Sequence, residues 1–499
     1  MKLLLSVLCI SACPGFGGGV RAQTAPAPPA AVTITVQMGA RQTFAGLGAS
    51  ALNFGHEYQT LTQGQRKTVS RMLWHDLRFT TLRVWVNMDK YAPTPGVRDM
   101  TEFRGCYVDS GLIADARAQG VTTLLLAPDG VPAFMTEKSA QGSAETGMAL
   151  KPSATDAYAD LLTDFIARLR REAHIVPDAT GVQNEPNDQE RFTPAQVVAV
   201  VKRLRADLDA QGLARVQIIA PEQANVDGGF FETARALKAD PVAWRSLAGL
   251  ASHSYSSGTT PDSAALVAGT GKSYWMTEAS ANGPEAPGDT EKASSLASRF
   301  LNDMNHGVTH WVHFVGFEVP DPHDNATRIF AYTPRPFATT KFQKYDYYRQ
   351  LSQAFDVGAV FRTSQSTLDG DMTWTFGRKP HLTAAAARCP DGTWAVGLSD
   401  YTSDTFPASS QAEKDNSGYP AQAYAVTVRI PELAHAGAVR FRVHRGGVGL
   451  ENTPQGTLIM HDGVVTIPRI GPLELVTLRS LPMPGPHASG LTMKGQPNK

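Results

Sequence analysis

The sequence has no surplus of either charge: 46 Lys and Arg are matched by 46 Asp and Glu. It carries no basic stripe that could neutralise a phosphate backbone, so nucleic acid is not an expected partner. No acidic or basic tail stands out either, which leaves an uncharged partner such as a neutral polymer. Cysteine is scarce, with 4 in the chain and no CxxC pair, so a cysteine zinc site is not supported. Cys9 and Cys13 fall near the N-terminus. Cys106 and Cys389 remain as a pair that could bridge in an exported protein, although two isolated cysteines are more often free. Long apolar runs are also missing. The stretch from Leu3 to Ile10 is too short to span a bilayer, and no transmembrane segment is expected.

That short run after Lys2 reads instead as the core of an export signal over residues 1–22, ending at Val20-Arg21-Ala22. A competing reading takes Ile10-Ser11-Ala12-Cys13 as a lipoprotein box, which would acylate Cys13 and anchor the chain to a membrane surface. Residues 23–31 are rich in Pro and Ala and read as a linker, and residues 482–499 as a disordered tail. The expected location is secreted, periplasmic or extracellular, and the expected state is a monomer.

At 499 residues the chain is long enough for a large barrel and a second domain. Through residues 32–348 short apolar runs alternate with longer amphipathic stretches. The runs are Phe44 to Gly48, Thr80 to Val86, Thr122 to Ala127, Thr180 to Gln183, Val216 to Ala220, Leu247 to His253, Ser273 to Thr277 and Thr309 to Val315. Between them Tyr158, Leu161, Leu162, Phe165 and Leu169 recur at helical spacing, as do Val197, Val200, Val201, Leu204 and Leu208. Strands alternating with helices over this length predict a (β/α)8 TIM barrel. From residue 349 to 481 the pattern changes to short alternating runs punctuated by Gly, Pro, Asn and Asp. Among them are Thr373 to Phe376, Thr393 to Leu398, Ala423 to Ile430, Val439 to His444, Thr457 to Met460 and Val464 to Ile467. They predict an attached all-β sandwich. Residues 32–42, where Val32 to Gln37 also alternates, are expected to give that sandwich a strand.

In a barrel of this kind reactive groups sit at the C-terminal ends of strands. Two glutamates meet that demand: Glu185, in Gly181-Val182-Gln183-Asn184-Glu185-Pro186 after the fourth strand, and Glu278, in Tyr274-Trp275-Met276-Thr277-Glu278 at the end of the seventh. Either alone could be an ordinary polar residue at a strand end. A pair of carboxyl groups is what cleavage of a glycosidic bond requires, one to protonate the leaving oxygen and one beside the anomeric carbon.

The Asn184-Glu185-Pro186 run with a strand-seven Glu278 resembles the clan A glycoside hydrolases, and further segments resemble glycoside hydrolase family 30. These are Gln42 to Ser50, Leu82-Arg83-Val84, Ala127 to Met135, and Tyr347 to Ser352 with Gly358, so that the resemblance spans about residues 33–362. It implies a retaining β-glycosidase without cofactor or metal, with Glu185 as general acid/base and Glu278 as nucleophile. It implies that Asn184 holds the sugar 2-hydroxyl, that Arg83 keeps Glu278 ionised, that Tyr255 donates to the nucleophile and that His253 orients its neighbours. Substrates in the resembled family include xylans, β-1,6-glucans, β-galactans and glucosylceramides.

The chain departs from the family at two places. Phe314 stands where a tryptophan usually floors the sugar subsite, with Trp311 three residues earlier and so on the opposite face of the strand. The third-strand Pro128-Asp129 lacks another customary tryptophan. Trp85, Asn87 and Asp89 either reach the cleft or pack on the barrel rim. Arg328 and Arg335 follow the eighth strand, where an acidic sugar could be held. His306, His310 and His313 have a metal-like spacing, but His310 and His313 would face opposite ways on a strand. Two rival functions share the features: a non-catalytic carbohydrate-binding protein on a degenerate barrel, and a transglycosylase.

Overall fold

The computed structural model of the chain describes residues 28–482 apart from 52–56, 144–145, 189, 375–378 and 405–418. The expected export signal, the lipoprotein-box alternative, residues 23–27 of the linker and residues 483–499 of the tail lie outside the described residues, as does part of the expected strand Thr373 to Phe376.

Eight parallel strands close into a barrel: Gly46–Ser50, Thr81–Asn87, Thr123–Asp129, Ala179–Thr180, Gln217–Gln223, Gly249–His253, Ser273–Ala279 and His310–His313, here the first to the eighth. Their sequences are apolar almost throughout because both faces are covered. In the third strand Leu124 and Leu126 join the layer between barrel and helices, whereas Leu125 points into the barrel. Inside, Leu125, Ala179, Ile219, Ala251 and Trp275 form a closed floor, and His310 stacks on Trp275 with ring centroids 3.5 Å apart. The helices follow the periodicity. Thr155–Ala173 buries Tyr158, Leu161, Leu162, Phe165 and Leu169, and Pro194–Ala210 buries Val197, Val200, Val201, Leu204 and Leu208. The second of these starts at a reciprocal Thr193–Gln196 cap with Pro194 in its first turn.

The second domain is one ten-stranded sheet rolled over its own apolar face. Val360–Arg362 and Ser364–Ser366 are neighbours in the chain yet lie at opposite ends of the strand order, so a single residue carries the chain from one edge to the other. Only a nearly closed sandwich allows that. Ala30–Val36 pairs parallel with Tyr424–Arg429 and antiparallel with Ser364–Ser366, and Val32, Ile34 and Val36 enter the sandwich core. This strand begins inside the segment read as linker. Four of its ten strands escaped the sequence reading: Val360–Arg362, Ser364–Ser366, Leu382–Arg388 and Leu475–Ser480.

Helices Thr290–Asn305 and Gln343–Ala354 join the domains. All of the first but Glu291 is buried, and small polar groups bridge to the sandwich: Ser294 Oγ donates to the Asp400 carbonyl at 2.9 Å, and Ser298 Oγ to Ser399 Oγ at 3.0 Å. Gln350 Nε2, on the second, donates to the Leu475 carbonyl at 3.0 Å. Cys106 and Cys389 are both buried and form no disulfide, so the bridge considered from sequence is not formed.

Candidate active site

The strand ends at the top of the barrel bring Arg83, Asn184, Glu185, His253, Tyr255, Glu278 and Phe314 to one mouth. Alternation along the second strand sends Leu82 and Val84 outward, and therefore Arg83 inward, where it is fully buried. The seventh strand loses register with the sixth between Met276 and Glu278, a bulge that re-aims Glu278 into the mouth. Glu185 follows the two-residue fourth strand with its backbone in the left-handed region at φ 44°, a conformation costly for a residue with a β-carbon. Tyr255 lies two residues past the end of the sixth strand, His253.

Glu278 is held at both oxygens. Arg83 Nη1 donates to Oε1, and Tyr255 Oη donates to Oε2 at 2.5 Å. Burial would raise this carboxyl, but the charges of His253 and Arg83 and the hydrogen bonds of Tyr255 and Arg83 outweigh it and hold Glu278 below the ordinary glutamate range. Arg83 Nη2 donates to Asn184 Oδ1 at 2.8 Å, and Asn184 Nδ2 donates to Asp129 Oδ1 at 3.3 Å. His253 Nδ1 lies 2.7 Å from Glu185 Oε1 and 3.8 Å from Glu278 Oε2. Burial lowers the His253 pKa, but the two glutamates more than restore it, so the imidazole ends above its ordinary value.

Single oxygens of Glu185 and Glu278 and a ring nitrogen of His253 all lie within 4.8 Å of one another, close enough to share an ion. Both Glu278 oxygens, however, already accept a hydrogen bond, one from Arg83 and one from Tyr255, and an added metal would compete with these donors and with the Arg83 charge. The trio reads as a hydrogen-bonded group.

Above it opens a cleft of about 430 Å³. Four carboxylates line it (Asp129, Glu185, Asp188, Glu278), with three amides (Asn184, Asn225, Asn282) and three aromatics (Trp85, Tyr255, Phe314). Among the described residues no Arg or Lys lines it. Trp85 reaches the cleft, with Arg83 stacked 4.6 Å from its ring and Phe314 edge-on at 5.5 Å. Asn87 instead caps the short helix Met88–Tyr91, and Asp89 is exposed beside Gly130. Burial pushes Asp129 up to about 6 and Glu190 up to about 7.

Trp311 points away from the site and donates its indole N–H to Asp303 at 2.8 Å, while Phe314 lines the cleft. His313 contacts Tyr348 and the Thr327 carbonyl outside the barrel, and His310 lies inside on Trp275. Arg328 is buried and committed to Glu318 at 3.0 Å; Arg335 sits on an exposed hairpin turn. Neither lines the cleft.

With this geometry the fold can be compared with known structures. The chain superposes on a glycoside hydrolase family 30 subfamily 8 xylanase from Clostridium acetobutylicum with a TM-score of 0.62 and 19% identity, over 90% of this chain and 99% of that one. It superposes on the catalytic domain of a family 30 xylanase C from Talaromyces cellulolyticus with a TM-score of 0.65 and 16% identity, over 90% and 100%. An endo-β-1,6-glucanase gives 0.59 and 15%, over 90% and 94%. The fold is similar to that of family 30 glycosidases. At these identities the likeness concerns the fold alone; no family model and no curated protein matches the sequence.

Besides the lining residues Asp188, Asn225 and Asn282, two buried contributors to this mouth escaped the sequence reading. Arg299 donates to the Ser254 carbonyl at 2.8 Å and the Ser280 carbonyl at 2.7 Å, tying together the chain ends that carry Tyr255 and Glu278. Nothing in its helical sequence marks it. Glu222, buried at the end of the fifth strand, could have been found by the strand-end rule that singled out the other two glutamates. Among the described residues no helix is long and apolar enough to cross a membrane.

Proposed function

We propose that the protein is an exported, retaining β-glycosidase acting on a neutral β-linked glycan, with Glu185 as general acid/base and Glu278 as nucleophile. The observation that carries this reading is the approach of carboxylate oxygens from the fourth and seventh strands to within 4.8 Å. Carboxyl groups about 5 Å apart suit direct attack on the anomeric carbon, whereas inversion needs roughly 6.5–9.5 Å to admit a water.

In the first step a Glu278 oxygen bonds to the anomeric carbon while the bond to the leaving oxygen breaks. Glu185, in its protonated form, supplies the proton that the leaving oxygen takes. In the second step Glu185 removes a proton from water as that water attacks the same carbon, and Glu278 leaves as a carboxylate. Arg83 and Tyr255 stabilise that carboxylate, and His253 fixes the orientation of Glu185. Asn184 faces the cleft where a ring hydroxyl would lie, and Trp85 and Phe314 offer apolar faces to the sugar.

A cleft lining that is acidic and, among the described residues, lacks Arg and Lys favours neutral glycans over uronic-acid-bearing ones. The names of the similar structures make xylan and β-1,6-glucan the first substrates to try. The test compares wild type, Glu185→Gln and Glu278→Gln on β-linked polysaccharides and aryl β-glycosides. We expect wild type to cleave one class and Glu278→Gln to be inactive, with azide rescuing Glu278→Gly to give product of inverted configuration. Sugar binding without cleavage, equal in all three proteins, would replace this reading with that of a binding protein.

A further inference from the structure

Glu222 lies beside the pair and is completely buried. It is the extra residue where the fifth strand shifts register against the sixth, between Pro221 and Gln223, and its backbone is left-handed at φ 59°. Its carbonyl accepts the N–H of Glu185 at 3.1 Å, and Glu185 is itself left-handed. Two such residues tied together persist only where the surroundings over-determine them, and that is a mark of function.

The side chain is as constrained as the backbone. Glu222 Oε1 lies 3.4 Å from Arg83 Nη2, the nitrogen that also serves Asn184, while Nη1 of the same guanidinium serves Glu278. Oε2 is buried without a hydrogen bond. It faces Gly181 so closely that a β-carbon there would stand 1.6 Å from it. The titratable groups facing this carboxyl are Arg83 from the second strand, His253 from the sixth, Glu278 from the seventh and Tyr158 from helix Thr155–Ala173; the Thr277 hydroxyl also reaches it.

One guanidinium thus stands between two carboxyl groups and gives its close hydrogen bond to Glu278. An ionised Glu222 would bury two oxygens with only one long contact to a cation and the Thr277 hydroxyl beside them, a poorly compensated charge. The neutral acid asks for less. Resting on the glycosidase reading, we propose that Glu222 is a positioning residue that keeps its proton at the working pH, bracing Arg83 through Nη2 while leaving the cation's charge to the nucleophile. Burial raises the Glu222 carboxyl against the opposing pull of Arg83 and His253, in the direction opposite to the net shift of Glu278. Such a division is how neighbouring carboxyl groups take different roles.

The test uses the full chain with Glu222→Gln and Glu222→Ala, read by pH–rate profiles and by the infrared band of neutral carboxyl groups. Gln keeps the shape and the absence of charge. It should retain kcat within about threefold and leave the acid limb where it is in wild type. Ala should lower kcat by roughly 30-fold or more with KM nearly unchanged, and move the acid limb to higher pH because Arg83 loses its brace. A purely structural role would not shift that limb. If Glu222→Gln moves it to lower pH, the carboxyl was ionised and repelled Glu278, and the proposal fails. It fails equally if Gln is as damaging as Ala. The infrared band should weaken in Glu222→Gln at neutral pH, and an unchanged band overturns the proposal even if no glycan is ever cleaved. A wild type inactive on every glycan would count against the glycosidase reading alone.

Discussion

Arg83 and Glu278 stand on the second and seventh strands, which the eighth and first strands separate around the barrel, and their side chains meet inside its mouth. The guanidinium is completely buried and the carboxylate nearly so. Neither charge could be left there alone, since removing one partner of a buried pair leaves the other uncompensated. Stability of the barrel top and ionisation of Glu278, the proposed nucleophile, therefore both draw on this contact.

Replacing Arg83 by Met should lower kcat/KM by roughly 100-fold or more, the scale seen when one charge-stabilising donor is removed. The sign of the pH effect follows from the balance at Glu278. Burial pushes its carboxyl up, and His253, Arg83 and Tyr255 pull it down. Without the guanidinium the balance tips upward, so the acid limb of the pH–kcat/KM profile moves to higher pH. Arg83→Lys should recover part of the rate, because an ammonium cannot serve Glu278 and Asn184 with the same fork. An Arg83→Met acid limb that stays at the wild-type position would remove Arg83 from this role.

The barrel was legible because its strands are apolar runs separated by helices with a clear 3.6-residue period, as in Thr155–Ala173. In the sandwich, Leu382–Arg388 hides because Leu-Thr-Ala-Ala-Ala-Ala has no alternation to detect; all six residues are buried, since the strand is covered on both faces. At the site, Glu185 and Glu278 were visible from their places at strand ends. Glu222 occupies a comparable place, but Pro221 and a bulge obscure the strand's end. Asp129 registered only as a missing tryptophan. Its carboxyl takes meaning from its contact with Asn184, which no local pattern encodes.

The same Asp129 leads to a prediction about charge. A glucuronic-acid-substituted xylan should be cleaved no faster than that xylan stripped of its uronic acid, because among the described residues four carboxylates and no Arg or Lys line the cleft. The disadvantage should grow above pH 6, since burial holds Asp129 at about 6 and it becomes ionised beyond that. Asp129→Asn should narrow the gap in kcat/KM by roughly threefold to tenfold. A wild type that prefers the acidic polymer would sink the neutral-glycan reading.

The sandwich is expected to be structurally required. Leu301 packs so tightly on the sandwich that a β-carbon on Gly397 would stand 2.6 Å from it, and Phe300 meets Phe355 at 6.1 Å. A chain ending at Leu351 would expose this face and should be recovered only as insoluble protein. Gly397→Ala is the milder probe. It should cost about 1–3 kcal/mol by overpacking while leaving KM unchanged in the folded fraction. A soluble, active barrel from the shortened chain would refute the requirement.

Asp400, where the sandwich meets helix Thr290–Asn305, gives a stability test independent of activity. Thr402 donates to its Oδ1 from the backbone at 3.1 Å and from the hydroxyl at 2.7 Å, but Oδ2 is buried without a partner. Burial pushes this carboxyl up to about 9. In the unfolded chain it releases its proton near pH 4, the ordinary aspartate value. Between about pH 4 and pH 9 the folded form holds a proton that the unfolded form has lost, so stability falls as pH rises through that window and levels off above it. Asp400→Asn stays neutral in both states and escapes the loss. The Tm of Asp400→Asn should match wild type near pH 4 and exceed it by about 2 °C or more at pH 8. A Tm difference that does not change with pH would mean that Asp400 is ionised in the folded protein.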